Sequence, residues 1–425
     1  MLTIAYLANQ FPVSVEPYVS DEIDELQRRG VKVIPGSVRR ATATKESAAG
    51  SGGGKSLCIL PLRLLTLLRS LGLAVRYWKR ISRLVGRVLL EGKETAQRRF
   101  KALLHTWLGA YYAILLRDRC VNHIHIHHGF FGSWIGMVAA QLLGIKFSFT
   151  LHGSDLLLRS TYLDVKLSYC EFCITISEYN RRYILEHFPE IDPRKIVVSR
   201  LGVSTPLATK VRHQASASGR RKFILLAVGR LHAVKDHAFL VHACAQLRDL
   251  GLDFECLIAG EGPERRFLES LMRRNRLQDR VTLLGHVCRE KMDSLYRQAD
   301  LVVLTSRSEG IPLVLMEAMA LGIIVVAPAI TGIPELVIPG KTGFLYKAGN
   351  VEDFVHTIRF LQILMQVNLQ FSANGVDRVR HAARVQILNN FSHDKNLNRF
   401  SDLFLELVAP HYWTPHHEDF VLQQI

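Results

Sequence analysis

Disulfide chemistry has little to work with in this chain. Seven cysteines in 425 residues show no paired spacing, which excludes a small disulfide-stapled scaffold. Cys170 and Cys173 form one C-x-x-C, but the second pair that a structural zinc site needs is missing. Reduced core thiols in a cytoplasmic protein are the expectation. Long apolar runs are lacking too. No apolar stretch of about 18 residues is free of charge, which argues against a hydrophobic spanning helix. The opening Met1-Leu2-Thr3-Ile4-Ala5-Tyr6-Leu7 has no basic flank and reads as a first strand rather than a signal peptide. Aromatics make up only 8%. With no helix-turn-helix or RNA-binding signature, a nucleic-acid partner is not expected. Repeats of solenoid length are absent.

Acidic residues are outnumbered, and the formal net charge is +16. The excess is concentrated. Between Lys55 and Lys101 stand twelve Lys or Arg against Glu91 and Glu94. On one continuous helix, Arg69, Arg76, Arg80, Arg83 and Arg87 fall within an arc of roughly 60°. Leu67, Leu71, Trp78, Ile81, Val85, Val88 and Leu89 lie on the other side. A basic amphipathic segment over 57–101 makes an anionic membrane surface a candidate partner. A core-packed helix with a solvated basic face is the alternative.

Short apolar strands alternate with helical stretches, which predicts doubly wound α/β domains. The expected boundaries are a first domain over 1–204, a linker over 205–221 rich in Ser, Ala and Arg, a second domain over 222–390, and a C-terminal segment over 391–425 with a helix at about 393–408 that crosses back to the first domain.

The richest motif runs from Ser308 to Ala320. Leu301 to Leu304 reads as a buried strand. Pro312 fits the first position of the helix that follows. Glu309 then lies in the strand-to-helix loop, and Glu317 more than one turn into the helix. The amides of Gly310, Ile311 and Leu313 face a positive helix end, a ready anion site. Carboxylates for hydroxyls, with amides for phosphate between them, suit a nucleotide-sugar. Other signals follow other strands. Gly229-Arg230-Leu231-His232-Ala233-Val234-Lys235-Asp236 places a glycine and two cations at a strand's carboxyl end. Arg230 can grip phosphate bidentately, and Lys235 adds a point charge. Gly260-Glu261-Gly262-Pro263 is a tight turn, and Gly285-His286-Val287 can offer backbone groups to a base.

In this order the motifs, closed by Gly332-Ile333-Pro334-Glu335, resemble the retaining glycosyltransferases of family 4, in the branch that includes exopolysaccharide and colanic-acid enzymes. The resemblance implies the GT-B fold: α/β, two Rossmann-like doubly wound domains facing a central cleft. It implies sugar transfer from a nucleotide-sugar to a glycan or lipid-linked acceptor, without metal or other cofactor, on the inner face of the cell membrane. Glu309 would contact the transferred sugar and Glu317 the ribose. Arg230 and Lys235 would neutralise the departing diphosphate. Gly229, Gly262, Val287, Gly310, Ile311, Pro312 and Leu313 would line the donor.

In the first half, Thr150-Leu151-His152-Gly153-Ser154-Asp155 matches the family's H-G-x-D sequence. His152 would lie beside the donor sugar, with Asp155 positioning its loop. Glu16 and His127 are candidates for the acceptor side, His127 at a strand end facing the cleft. The alternating His123, His125 and His127 tempt one toward a metal, but nearby acidic or Cys ligands to complete such a site are not expected. Two departures from the family are clear. The first loop lacks the usual Gly-Gly pair and reads Asn9-Gln10-Phe11-Pro12, and Ser204 stands where Gly-Val-Asp is usual. The run Ala49 to Ser56 fits a permissive Walker A pattern, yet no core strand precedes it. A nucleotide-sugar epimerase of the same fold and a non-catalytic basic binding protein are the alternative functions.

Overall fold

A computed structural model describes residues 1–12, 16–40, 56–91, 94–158, 161–204, 222–371 and 374–410. The expected linker 205–221 and the Walker-like run up to residue 55 lie outside them. The chain divides into two compact units. The first holds Met1–Ile176, Arg181–Ser199 and the chain from Leu397; the second holds Ser177–Asn180 and Arg200–Asn396.

The first unit is built on seven parallel strands: β1 (Thr3–Phe11), β2 (Lys32–Arg40), β3 (Leu57–Cys58), β4 (His123–His127), β5 (Lys146–Leu151), β6 (Phe172–Thr175) and β7 (Ile196–Val198). Their order is β3-β2-β1-β4-β5-β6-β7. The direction of winding reverses between β1 and β4, so the loops after those strands border the crevice where ligands bind in such sheets. One sheet face buries Ile124 and Ile126 with Trp134, Ile135 and Val138. The other buries Ile4 and Tyr6 with Phe400, Phe404 and Leu405 of the helix His393–Val408. That helix has the bounds the sequence predicts.

The second unit has six parallel strands: β8 (Phe223–Val228), β9 (Phe254–Ala259), β10 (Val281–Gly285), β11 (Leu301–Val303), β12 (Ile324–Pro328) and β13 (Phe344–Tyr346). The order is β10-β9-β8-β11-β12-β13, so here the winding reverses between β8 and β11. Continuous apolar strands such as Phe223–Val228 suit a sheet covered on both faces. Leu225, Ile258, Val303 and Val326 fill one side, and Leu226, Val302 and Met316 the other.

The basic segment differs from expectation. The stretch carrying Arg69 to Arg87 is not one helix but two, Leu64–Arg76 and Trp78–Leu90, broken at Tyr77, and a third helix, Ala96–Leu116, begins before the segment ends. The break ends the single basic arc. Arg80 donates to the Leu142 carbonyl at 2.9 Å, and Arg87 pairs with Asp164 at 3.0 Å. Arg69, Arg76 and Arg83 are exposed. The leucines divide differently too. Leu73, Ile81, Leu84 and Val88 are buried, while Leu64, Leu65, Leu68, Leu71 and Val75 are 56–72% exposed.

Candidate active site

In the second unit, the loops after β8 and β11 meet. Lys235 Nζ lies 2.6 Å from Glu309 Oε1, both side chains mostly sheltered. Two residues 74 positions apart thus come together at the point where the winding reverses. Glu309 is fixed from behind, because the Thr331 hydroxyl donates to its carbonyl at 2.6 Å. The backbone around it is close-packed. A Cβ on Gly332 would lie 2.4 Å from the Gly310 carbonyl oxygen, so only glycine lets this turn approach.

The helix that follows is Leu313–Ala320, with Pro312 at its N-cap (φ −76°, ψ 120°). Pro312, expected as the first helical residue, therefore stands one position before the helix, and Leu313 takes the first place. The reason is local: the ψ of Pro312 is extended, so helical geometry starts only after it. Glu317 sits in the second turn and accepts from the Tyr296 hydroxyl at 2.7 Å. Burial raises its pKa, against the opposing Tyr296 bond. Arg230 is exposed. Gly262 packs tightly, since a Cβ there would lie 2.3 Å from the Leu231 carbonyl oxygen. Val287 and Gly229 are half-buried, and Ile311 is buried. Glu335 accepts from the amides of Glu178 and Tyr179 and pairs with Arg200, so its carboxylate is taken up in structure.

The first unit holds a compact group of imidazoles and carboxylates. Asp155 is fully buried and accepts from the amides of Gly129 (2.8 Å), His152 (3.0 Å) and Gly153 (2.8 Å). His128 lies 3.6 Å from Asp155 and 3.1 Å from Glu16. Burial would lower the His128 pKa, but these two carboxylates outweigh it and hold the ring near about 10. For Asp155, burial is outweighed by His128 and by backbone donors, so its pKa falls below the ordinary carboxylate range. His152 is pushed well down by burial, helped by His128 and His127, and is neutral.

His127 does not face the cleft as expected. It is completely buried, with Nε2 2.9 Å from Glu22 and Nδ1 3.2 Å from His152. The helix Pro17–Arg28 covers it and brings Glu22 across 105 residues of sequence. The expectation that no acidic group stands near the histidines is corrected by the same contact. Glu22, His125 and His127 each offer a ligand atom within 4.8 Å of the others. Those atoms are already in use. His125 bonds the hydroxyls of Ser148 and Thr150, and Tyr6 donates to Glu22 at 2.6 Å.

Glu22, His128 and Lys166 were not found by sequence reasoning. A signal for Glu22 existed, since it shares a helix face with Val19, Ile23 and Leu26. Lys166 is buried and donates to the carbonyls of Gly129, Phe130 and Thr161. Burial brings its pKa down to about 7. Nothing at the sequence level marks it.

Comparison with known proteins agrees with this layout. Residues 15–206 match the model of Glycosyltransferase Family 4, and residues 209–375 match Glycosyl transferases group 1. The chain is 36% identical over 159 residues to the putative colanic acid biosynthesis glycosyltransferase WcaL of Salmonella typhimurium, covering 36% of this chain and 38% of that protein. The match thus spans well under half of that curated relative. In structure, the sucrose-phosphate synthase of Thermosynechococcus elongatus superposes with a TM-score of 0.71 at 19% identity, over 96% of this chain and 100% of that one. Anabaena HepE in complex with UDP-glucose gives 0.68 at 17% identity, over 95% and 99%. The chain thus has the GT-B fold and carries a Glycosyltransferase Family 4 region over 15–206, followed by a Glycosyl transferases group 1 region over 209–375.

Proposed function

We propose that this protein transfers a sugar from a nucleotide-sugar to a glycan or lipid-linked acceptor of a cell-surface polysaccharide, with retention at the anomeric carbon. One observation carries the reading: the Lys235–Glu309 contact at the switch point of the second sheet, beside the start of the helix Leu313–Ala320. A cation next to exposed amides suits a diphosphate leaving group. A carboxylate on that cation suits sugar hydroxyls. Glu317 is placed farther along the helix for the ribose. The similarity to a colanic acid glycosyltransferase supports sugar chemistry, and the UDP-glucose held by the similarly folded HepE supports a nucleotide-sugar donor. No step here is assigned to a metal, because the imidazoles that could bind one are committed to hydrogen bonds. Product analysis by NMR tests the reading. A new glycosidic bond with the donor's anomeric configuration supports it; a converted donor without any acceptor would favour an epimerase.

We place the acceptor at an anionic membrane surface. Among the described residues, no helix is long and apolar enough to cross a membrane. The helix Leu64–Arg76 instead carries an outward stripe of Leu64, Leu68, Leu71 and Val75, at helical spacing, beside exposed Arg69 and Arg76. Such a face suits burial at the headgroup boundary. Leu68→Glu combined with Leu71→Glu should lower binding to phosphatidylglycerol vesicles by about tenfold or more in co-sedimentation. Unchanged binding would contradict this placement.

A further inference from the structure

A chain of hydrogen bonds in the first unit runs Tyr6–Glu22–His127–His152, and with Glu22 ionised and both imidazoles neutral, donor and acceptor rules give its direction. Glu22 Oε2 receives the Tyr6 hydroxyl at 2.6 Å and lies 2.9 Å from His127 Nε2. A carboxylate only accepts, so His127 carries its proton on Nε2. In a neutral ring, Nδ1 of His127 is then an acceptor. Its partner at 3.2 Å is His152 Nε2, which must donate. His152 is left with a bare lone pair on Nδ1. That nitrogen is buried and has no hydrogen-bond partner among the described residues. Buried polar atoms without partners are uncommon and call for a ligand or a role. The His152 residue as a whole is only half-buried, between the rings of Tyr18 and His128.

We propose that Glu22 and His127 are positioning residues that hold His152 in the tautomer with its proton on Nε2, so that Nδ1 accepts a hydroxyl of the sugar substrate. The proposal rests on the sugar-transfer reading above and adds to it the residues that set the acceptor. Neighbouring groups are consistent with it. His128, between Asp155 and Glu16, has its own carboxylate partners and does not compete for Nδ1 as a base. His125 is held by Ser148 and Thr150 and stands outside the relay.

The test begins without substrate. Nitrogen-15 NMR of the imidazoles at about pH 8, above the ordinary histidine range, should show His152 Nδ1 unprotonated and Nε2 protonated in the wild type. Glu22→Met, which removes the acceptor but keeps the volume, should mix the two His152 tautomers. Tyr6→Phe, which removes one donor to Glu22 but keeps the Glu22–His127–His152 contacts, should leave them unchanged. A proton on His152 Nδ1 in the wild type would overturn the proposal, as would an unaltered tautomer in Glu22→Met. With the nucleotide-sugar that the wild type consumes, Glu22→Met should lower kcat/KM by about tenfold to a hundredfold, the range for partners that orient a functional imidazole. Affinity for free UDP or GDP should be unchanged. If donor hydrolysis without acceptor falls equally, the hydroxyl belongs to the donor sugar; if only transfer falls, it belongs to the acceptor. Should the wild type consume no nucleotide-sugar, the transfer reading fails while the NMR result still decides the relay.

Discussion

Lys235→Ala lowers kcat by about a hundredfold to a thousandfold, the usual loss when one charged or hydrogen-bonding group that stabilises developing charge is removed. Its ammonium sits 2.6 Å from Glu309 in a mostly sheltered position. In the resting protein the pair neutralises itself. On the proposed reading, the diphosphate and the sugar of a bound nucleotide-sugar take over the two partners. Negative charge on the diphosphate grows as the glycosidic bond breaks, so the loss falls on kcat more than on KM. Lys235→Arg restores little, because a planar guanidinium cannot take the place of a compact ammonium in this contact. Glu309→Ala should give a comparable fall, since it removes the sugar contact and leaves Lys235 without its partner. Steady-state kinetics on purified variants, with circular dichroism to confirm folding, reads both. Full activity in either variant would break the assignment.

Asp155→Ala destabilises the first unit by about 3–5 kcal/mol, the range for removing one partner of a buried charged pair. Asp155 is completely buried and answers three backbone amides and the His128 ring. Its removal leaves those amides without their acceptor and the His128 imidazole with Glu16 as its one remaining carboxylate neighbour among the described residues. The sign of the pH dependence follows from its depressed pKa. The contribution is present above the unfolded carboxylate value of about 3.9 and is lost as pH falls through the lower folded value. The gap between wild type and variant therefore narrows below about pH 4. His128 behaves in the opposite sense. Its folded pKa is raised to about 10, so its share is full below about 6.5 and fades as pH rises toward that value. Chemical denaturation followed by tryptophan fluorescence, at acid and neutral pH, measures the gap. An Asp155→Ala protein as stable as wild type at pH 7 would refute this role for the buried carboxylate.

The second unit was readable in the sequence because each part of its site is a local motif at the end of its own strand, although Lys235 and Glu309 meet across 74 residues. Glu309, Pro312 and Glu317 lie on one strand-loop-helix segment, and each glycine turn follows its own strand. The helix start was displaced by one residue at Pro312, the strand before it ends at Val303 rather than Leu304, and the unit extends beyond the expected 222–390 to take in Ser177–Asn180 and Arg200–Asn396. The first unit was harder, because its chemistry is assembled across distance. Glu22 meets His127 from a helix 105 residues away. Lys166 meets Gly129 and Phe130 through carbonyls that no side-chain pattern reveals. The break at Tyr77 was hidden for another reason. Neither proline nor glycine marks it, and the apolar spacing runs on through it. Tertiary packing, which buries Leu73 on one helix and Ile81, Leu84 and Val88 on the next, set the stop.

The most direct test of the donor site is nucleotide release by the wild type and Lys235→Ala across a panel of UDP- and GDP-sugars, with membrane glycolipid extract as acceptor. The expected result is acceptor-dependent release from one donor by the wild type, and at least about a hundredfold less from the variant. Equal release by the two proteins, or no release from any donor, would contradict the assignment of Lys235 and Glu309 to sugar transfer.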